Sequence, residues 1–101
     1  MIVLHAAFPI ESEKLDDALS LADDLVEASN REPGTIEYRA TTDVQDEHVV
    51  RFFEQYEDAE AFEAHTQTDH FQAFEDRLPD LLAGEPDVRR FEVSDATDLD
   101  L

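Results

Sequence analysis

In the stretch Ala64 to Phe74, AHTQTDHFQAF, two histidines stand five residues apart among aromatic side chains. Histidine is the one side chain whose unperturbed pKa suits proton exchange near neutral pH. His5, His48, His65 and His70 are therefore the candidate general bases of the chain. Metal ligation is the other chemistry open to the pair, but it needs three or four convergent ligands, and neither a His-x-x-x-His nor a Glu-x-x-His spacing occurs. On one continuous helix a separation of five turns two side chains about 140° apart, too far for a shared site. The polar segment TQTD, Thr66 to Asp69, interrupts the helical pattern and lets His70 open a new helix at its own angle. No metal is expected, and His70 is the stronger candidate base. Its plainer role is to pack at the helix start and fix the turn. With no cysteine in the chain, thiolate nucleophiles, disulfides and Cys-based metal clusters are excluded.

A chain of 101 residues suits one domain and is too short for two independent cores. Its 42% hydrophobic content, seven Phe and only two Gly supply a core despite the charge. That charge is lopsided: 27 Asp and Glu against 7 Lys and Arg, a formal net of -20. Nucleic acid and anionic membrane are excluded as partners on this ground. At molar salt the Debye length falls to roughly 3 Å, which relieves such self-repulsion. The acids are spread over faces and loops, as in a cytosolic protein of a salt-accumulating halophile. No apolar run approaches a membrane span and the N-terminus has no basic leader, so a cytoplasmic location is expected.

These side chains must be held by short elements. Ile2 to Phe8 is an apolar run closed by Pro9, a strand. Ser12 is expected to cap a helix carrying Leu15, Ala18, Leu19, Ala22, Leu25 and Val26 at helical spacing. A turn at Pro33 and Gly34 leads into a strand in which Ile36, Tyr38 and Ala40 alternate with polar residues. After a hairpin loop, His48 to Tyr56 is apolar at both parities, with Val49 and Phe53 on one face and Val50 and Phe52 on the other. That pattern predicts a strand buried on both sides. Asp58 is expected to cap the next helix, and Asp69, paired with Gln72, the one after the break, where Phe71, Phe74 and Leu78 follow. Pro79 and the Gly84 to Pro86 segment are expected to end it. Val88 to Val93 is the last strand. The order is the split βαβ pattern of an α+β, ferredoxin-like domain over residues 1–94, with an acidic tail at 95–101. Its helices can cover one sheet face, so a second copy is expected on the other, giving a homodimer.

Three segments, EPGTIEYRATTD (Glu32 to Asp43), FFEQYED (Phe52 to Asp58) and AFEAHTQTDHFQAF (Ala61 to Phe74), together resemble the antibiotic biosynthesis monooxygenase family, quinol monooxygenase branch, in order and spacing. The resemblance implies ferredoxin-like protomers closing into a dimeric α+β barrel. It implies oxygenation of a quinol-like small aromatic by dioxygen with no cofactor: a base takes a phenolic proton, the anion meets dioxygen, and polar groups steady the charge. His70 and His65 are then the catalytic candidates, and His5, Tyr38, Arg51, Phe52, Tyr56 and Phe74 the substrate contacts. Arg39 and Arg90 are further candidates for an oxyanion. For Arg51 the plainer role is an ion pair at a sheet edge. The haem-degrading branch carries Trp at the place of His65 and a haem-ligating His at that of Glu75, and this chain has no Trp. The alternative is a non-catalytic dimeric domain that binds a small molecule or serves a stress response.

Overall fold

The computed structural model describes residues 1–101. The N-terminal apolar run forms strand β1, Ile2–Pro9. It lies inside a four-stranded antiparallel sheet with β2, Thr35–Asp43, β3, Asp46–Tyr56, and β4, Asp87–Glu92, in the order β2-β3-β1-β4. Helix α1, Leu15–Ser29, connects β1 to β2. The broken pair α2, Ala59–Thr66, and α3, Asp69–Leu81, connects β3 to β4. This is the ferredoxin-like α+β topology expected from the periodicity. No helix is long and apolar enough to cross a membrane.

Strand alternation decides what each face carries. In β1, Ile2, Leu4, Ala6 and Phe8 are buried against the helices, and β3 sets Val50, Phe52, Glu54 and Tyr56 on the same inner face. The outer face carries Val3, His5 and Ala7 beside Phe53 and Phe91, which are 38% and 42% exposed. The both-parity run of β3 thus meets helices on one side only within the single chain. Ile36 departs from the expected alternation and is 50% exposed, because a register shift between Thr35 and Glu37 breaks the pleat there.

Helix ends follow hydrogen-bonding capacity more closely than residue class. Asp58 caps α2 as expected, Oδ1 accepting from the Ala61 amide at 2.8 Å. Ser12 does not cap α1; it lies in a single 3-10 turn, Ser12–Lys14, and α1 begins after Lys14 with no side-chain cap. Lys14 instead donates to the Asp80 carbonyl at 2.6 Å, tying the start of α1 to the end of α3. Thr68, not Asp69, caps α3. Its hydroxyl accepts from the Phe71 amide at 3.2 Å and donates to the His65 carbonyl at 2.7 Å, a double duty no carboxylate can perform. Pro79 does not stop α3, which runs on to Leu81; the ring costs one amide donor near the end of the helix. Gly34 is required by proximity: a Cβ there would overlap that of Ala61. The Glu32-Pro33-Gly34 turn therefore lies directly against α2.

Candidate active site

Between the inner sheet face and α2 and α3 lies a cavity of about 280 Å³. Ten of its thirteen lining residues are hydrophobic, Phe8, Phe52, Phe62, Phe71 and Phe74 among them. Edge-to-face pairs hold this wall, with ring centroids 5.6 Å apart for Phe8 and Phe52, and 5.5 Å for Phe52 and Phe74. Three lining residues carry titratable groups: Tyr38, Glu54 and Glu75. Sheet register brings the first two together, since Glu54 of β3 pairs with Tyr38 of β2 on one side and Leu4 of β1 on the other. Asn30, at the end of α1, fixes Tyr38 by accepting from its amide at 3.1 Å and donating to its carbonyl at 3.0 Å.

Glu54 is 8% exposed and accepts a hydrogen bond from the Tyr56 hydroxyl at 2.6 Å. Burial pushes its carboxyl up to about 7, against the pull of the Tyr56 hydrogen bond and the nearby Tyr38 phenol, with the negative Glu32 adding to the rise. The same burial and the nearby Glu54 charge push both phenols far above their ordinary range. Near neutrality the tyrosines are fixed donors, and Glu54 is the group that changes charge.

His65 and His70 meet on Glu32 rather than on each other. His65 Nδ1 lies 2.9 Å and His70 Nε2 2.6 Å from the same oxygen, Glu32 Oε2. The break between α2 and α3 makes this possible, and the Gly34 contact brings the turn bearing Glu32 within reach. The carboxylate can only accept, so each ring donates the proton on its facing nitrogen. His65 is fully buried and its Nε2 has no partner. Burial holds its pKa below the usual histidine value, with Glu32 opposing that shift. The three ligand-type atoms lie within 4.8 Å of one another, a convergence that the local spacing rules did not reveal because Glu32 comes from a distant turn. A cation here would have to displace both hydrogen bonds. Neither histidine lines the cavity; His65 packs behind it, its ring centroid 5.2 Å from that of Tyr38, 5.5 Å from Tyr56 and 5.1 Å from Phe71.

The geometry can be set beside known proteins. The family description "antibiotic biosynthesis monooxygenase" matches residues 1–77. The chain belongs to the antibiotic biosynthesis monooxygenase family. YcnE of Bacillus subtilis, named as a candidate monooxygenase, is 36% identical over 95 residues, covering 94% of this chain and 100% of YcnE. The uncharacterized protein sll1783 of Synechocystis is 28% identical over 98 residues, 97% of this chain and 67% of its own. A crystal structure named as an antibiotic biosynthesis monooxygenase superposes with a TM-score of 0.87 at 25% identity, covering 94% of this chain and 100% of the other. Rv0793 from Mycobacterium tuberculosis gives 0.90 at 18% identity over 96% and 98% of the two chains, a likeness of fold. Family and names support a function of the monooxygenase type.

Within this antibiotic biosynthesis monooxygenase fold the other expected contacts divide by strand parity. Tyr38, Phe52 and Phe74 line the cavity, and Tyr56 reaches it through Glu54. His5 and Arg51 do not, because both stand on the outer face: His5 opposite Phe53, and Arg51 paired with Asp43 at 3.0 Å. The Gln45 amide, and after it Arg51, hold the Asp43 carboxyl below its usual range. Arg39 likewise pairs with Glu37 at 3.3 Å. Arg90 sits near the rim, its guanidinium 5.5 Å from the centre of the Phe62 ring. His48 is part-exposed beside Asp46. Glu32, which holds both histidines, and Glu54, which lines the cavity, are not among the residues expected from the sequence. An acid in the inward phase Val50, Phe52, Glu54, Tyr56 was the available signal for the second.

Proposed function

We propose that the chain is a cofactor-independent monooxygenase that oxidises a quinol-like or polyphenolic small molecule with dioxygen, and that it works as a homodimer. The supporting observation is an aromatic-walled cavity of about 280 Å³ with proton-handling side chains on one wall, in a chain of this family. For a quinol the balance is simple. One oxygen atom enters the ring, the other leaves as water, and the substrate supplies all four electrons to become a hydroxyquinone. Loss of a hydroxyl proton starts the sequence by making the ring electron-rich enough to meet dioxygen. His65 and His70 act as positioning residues in this reading, holding Tyr38, Tyr56 and Phe71 through the Glu32 contact. The outer-face residues Phe53 and Phe91 support pairing with a second copy.

The test is oxygen uptake in molar KCl, with chelator-treated protein and a panel of quinols. Stoichiometric uptake with formation of the hydroxyquinone is expected. Uptake no faster than autoxidation across the panel would refute the reading. A binding-only domain is favoured by one observation, the absence of histidine from the cavity wall; such a domain would bind quinols and leave them unchanged.

A further inference from the structure

We infer that Glu54 is the residue that accepts the hydroxyl proton of the substrate, and that the pocket selects uncharged hydroxylated aromatics over carboxylated ones. The inference rests on reading the cavity as the monooxygenase site. Of the acids that line the cavity, Glu75 is exposed on α3, whereas Glu54 is buried at the sheet wall with one oxygen fixed by the Tyr56 hydroxyl at 2.6 Å. A carboxylate accepts at about four positions, so the bond from Tyr56 leaves room for a ligand hydroxyl. No histidine reaches the same space.

The step moves charge without creating it. The substrate O–H bond breaks, its electron pair stays on the phenolic oxygen, and the proton forms an O–H bond on Glu54. One negative charge is present before and after, which suits a pocket too apolar to admit a second. The Tyr38 and Tyr56 hydroxyls stay protonated and can follow the charge. A carboxyl raised to about 7 is also a better base toward a phenol than an ordinary carboxylate. The charged and titratable groups facing Glu54 are Tyr56 on its own strand, Tyr38 on β2, Glu32 on the preceding turn, His65 on α2, Glu75 on α3 and Arg90 on β4. Acids predominate, and the one arginine lies outside the cavity lining, beside Phe62. An aromatic carboxylate would therefore enter against like charge, whereas a neutral polyphenol would not.

Two measurements test this. The first is anaerobic binding of hydroquinone, its dimethyl ether and benzoate. Wild type should prefer hydroquinone over the ether by at least ~10-fold, the worth of a charge-assisted hydrogen bond, and bind benzoate weakest. Glu54→Gln should lose the preference, and His48→Gln, outside the cavity lining, should keep it. The second is oxygen uptake. Glu54→Gln should fall at least ~100-fold in kcat, with partial recovery on quinols of more acidic hydroxyl and in Glu54→Asp. Uptake by Glu54→Gln within about threefold of wild type overturns the assignment and leaves the monooxygenase reading intact. If no quinol supports uptake, the monooxygenase reading and the proton transfer to Glu54 fall together, and binding decides the selectivity: a hydroxyl preference lost in Glu54→Gln upholds Glu54 as the group that recognises the ligand hydroxyl, and equal affinity for quinol and ether overturns it.

Discussion

Replacing Glu54 by Gln should stabilise the protein, and only on the alkaline side. The carboxyl moves from an ordinary value of 4.5 to about 7 on folding, a difference of about 2.5 pH units. At about 1.36 kcal/mol per unit this is about 3 kcal/mol. A folded-state value above the unfolded one means the contribution is whole below about 4.5 and lost as pH rises through about 7. Wild type should therefore lose about 3 kcal/mol relative to Glu54→Gln between pH 4.5 and 8. Gln is nearly isosteric and its Oε1 still accepts from Tyr56, so the pH-independent cost is small. Urea unfolding of both proteins, at one protein concentration and in constant molar KCl, gives the difference at each pH. Titrations shared by the two, His65 included, cancel in it. A difference that stays flat within about 0.5 kcal/mol from pH 4.5 to 8 would show that Glu54 folds as an ordinary carboxylate, and the account of the pocket would be wrong.

Three other outcomes follow. His65, held below its ordinary value of 6.5, should lower stability as pH falls through that value, because the unfolded chain takes the proton more readily; unfolding of wild type against His65→Gln from pH 7.5 to 5 should isolate that slope. Thr68→Val removes the hydroxyl that joins α2 to α3 and should cost about 1–2 kcal/mol in urea unfolding, with Thr68→Ser recovering most of it. Gly34→Ala should cost about 1–3 kcal/mol through overlap with Ala61, and Ala61→Gly in the same chain should restore part of that loss.

The fold was legible because two periodicities dominate it. Strand alternation set Val50 and Phe52 against Val49 and Phe53, and helical spacing placed Phe71, Phe74 and Leu78 along one stripe. The helix break at TQTD was also readable, as an interruption in an apolar pattern. Which residue caps α3 was not, because the choice between Thr68 and Asp69 turns on whether one group can both donate and accept. The meeting of His65, His70 and Glu32 depends on a turn more than thirty residues away, closed by a contact at Gly34. Local spacing carries no trace of that. Glu54 is a different case: it shares the parity of Val50 and Phe52 on β3, but in a chain with 27 acids one more carboxylate is not a distinguishing residue type.

The depth of Glu54 separates two controls on this protein. A net charge of -20 makes the surface responsive to ionic strength, since exposed carboxylates repel one another until counter-ions screen them. The one carboxyl sealed under the aromatic wall lies where screening is weak, and it answers to proton activity instead. Salt therefore acts on the repulsion at the surface while leaving the acidity of the interior nearly unchanged. Surface acids can be gained or lost in large numbers, and the chemistry inside can proceed on the same terms.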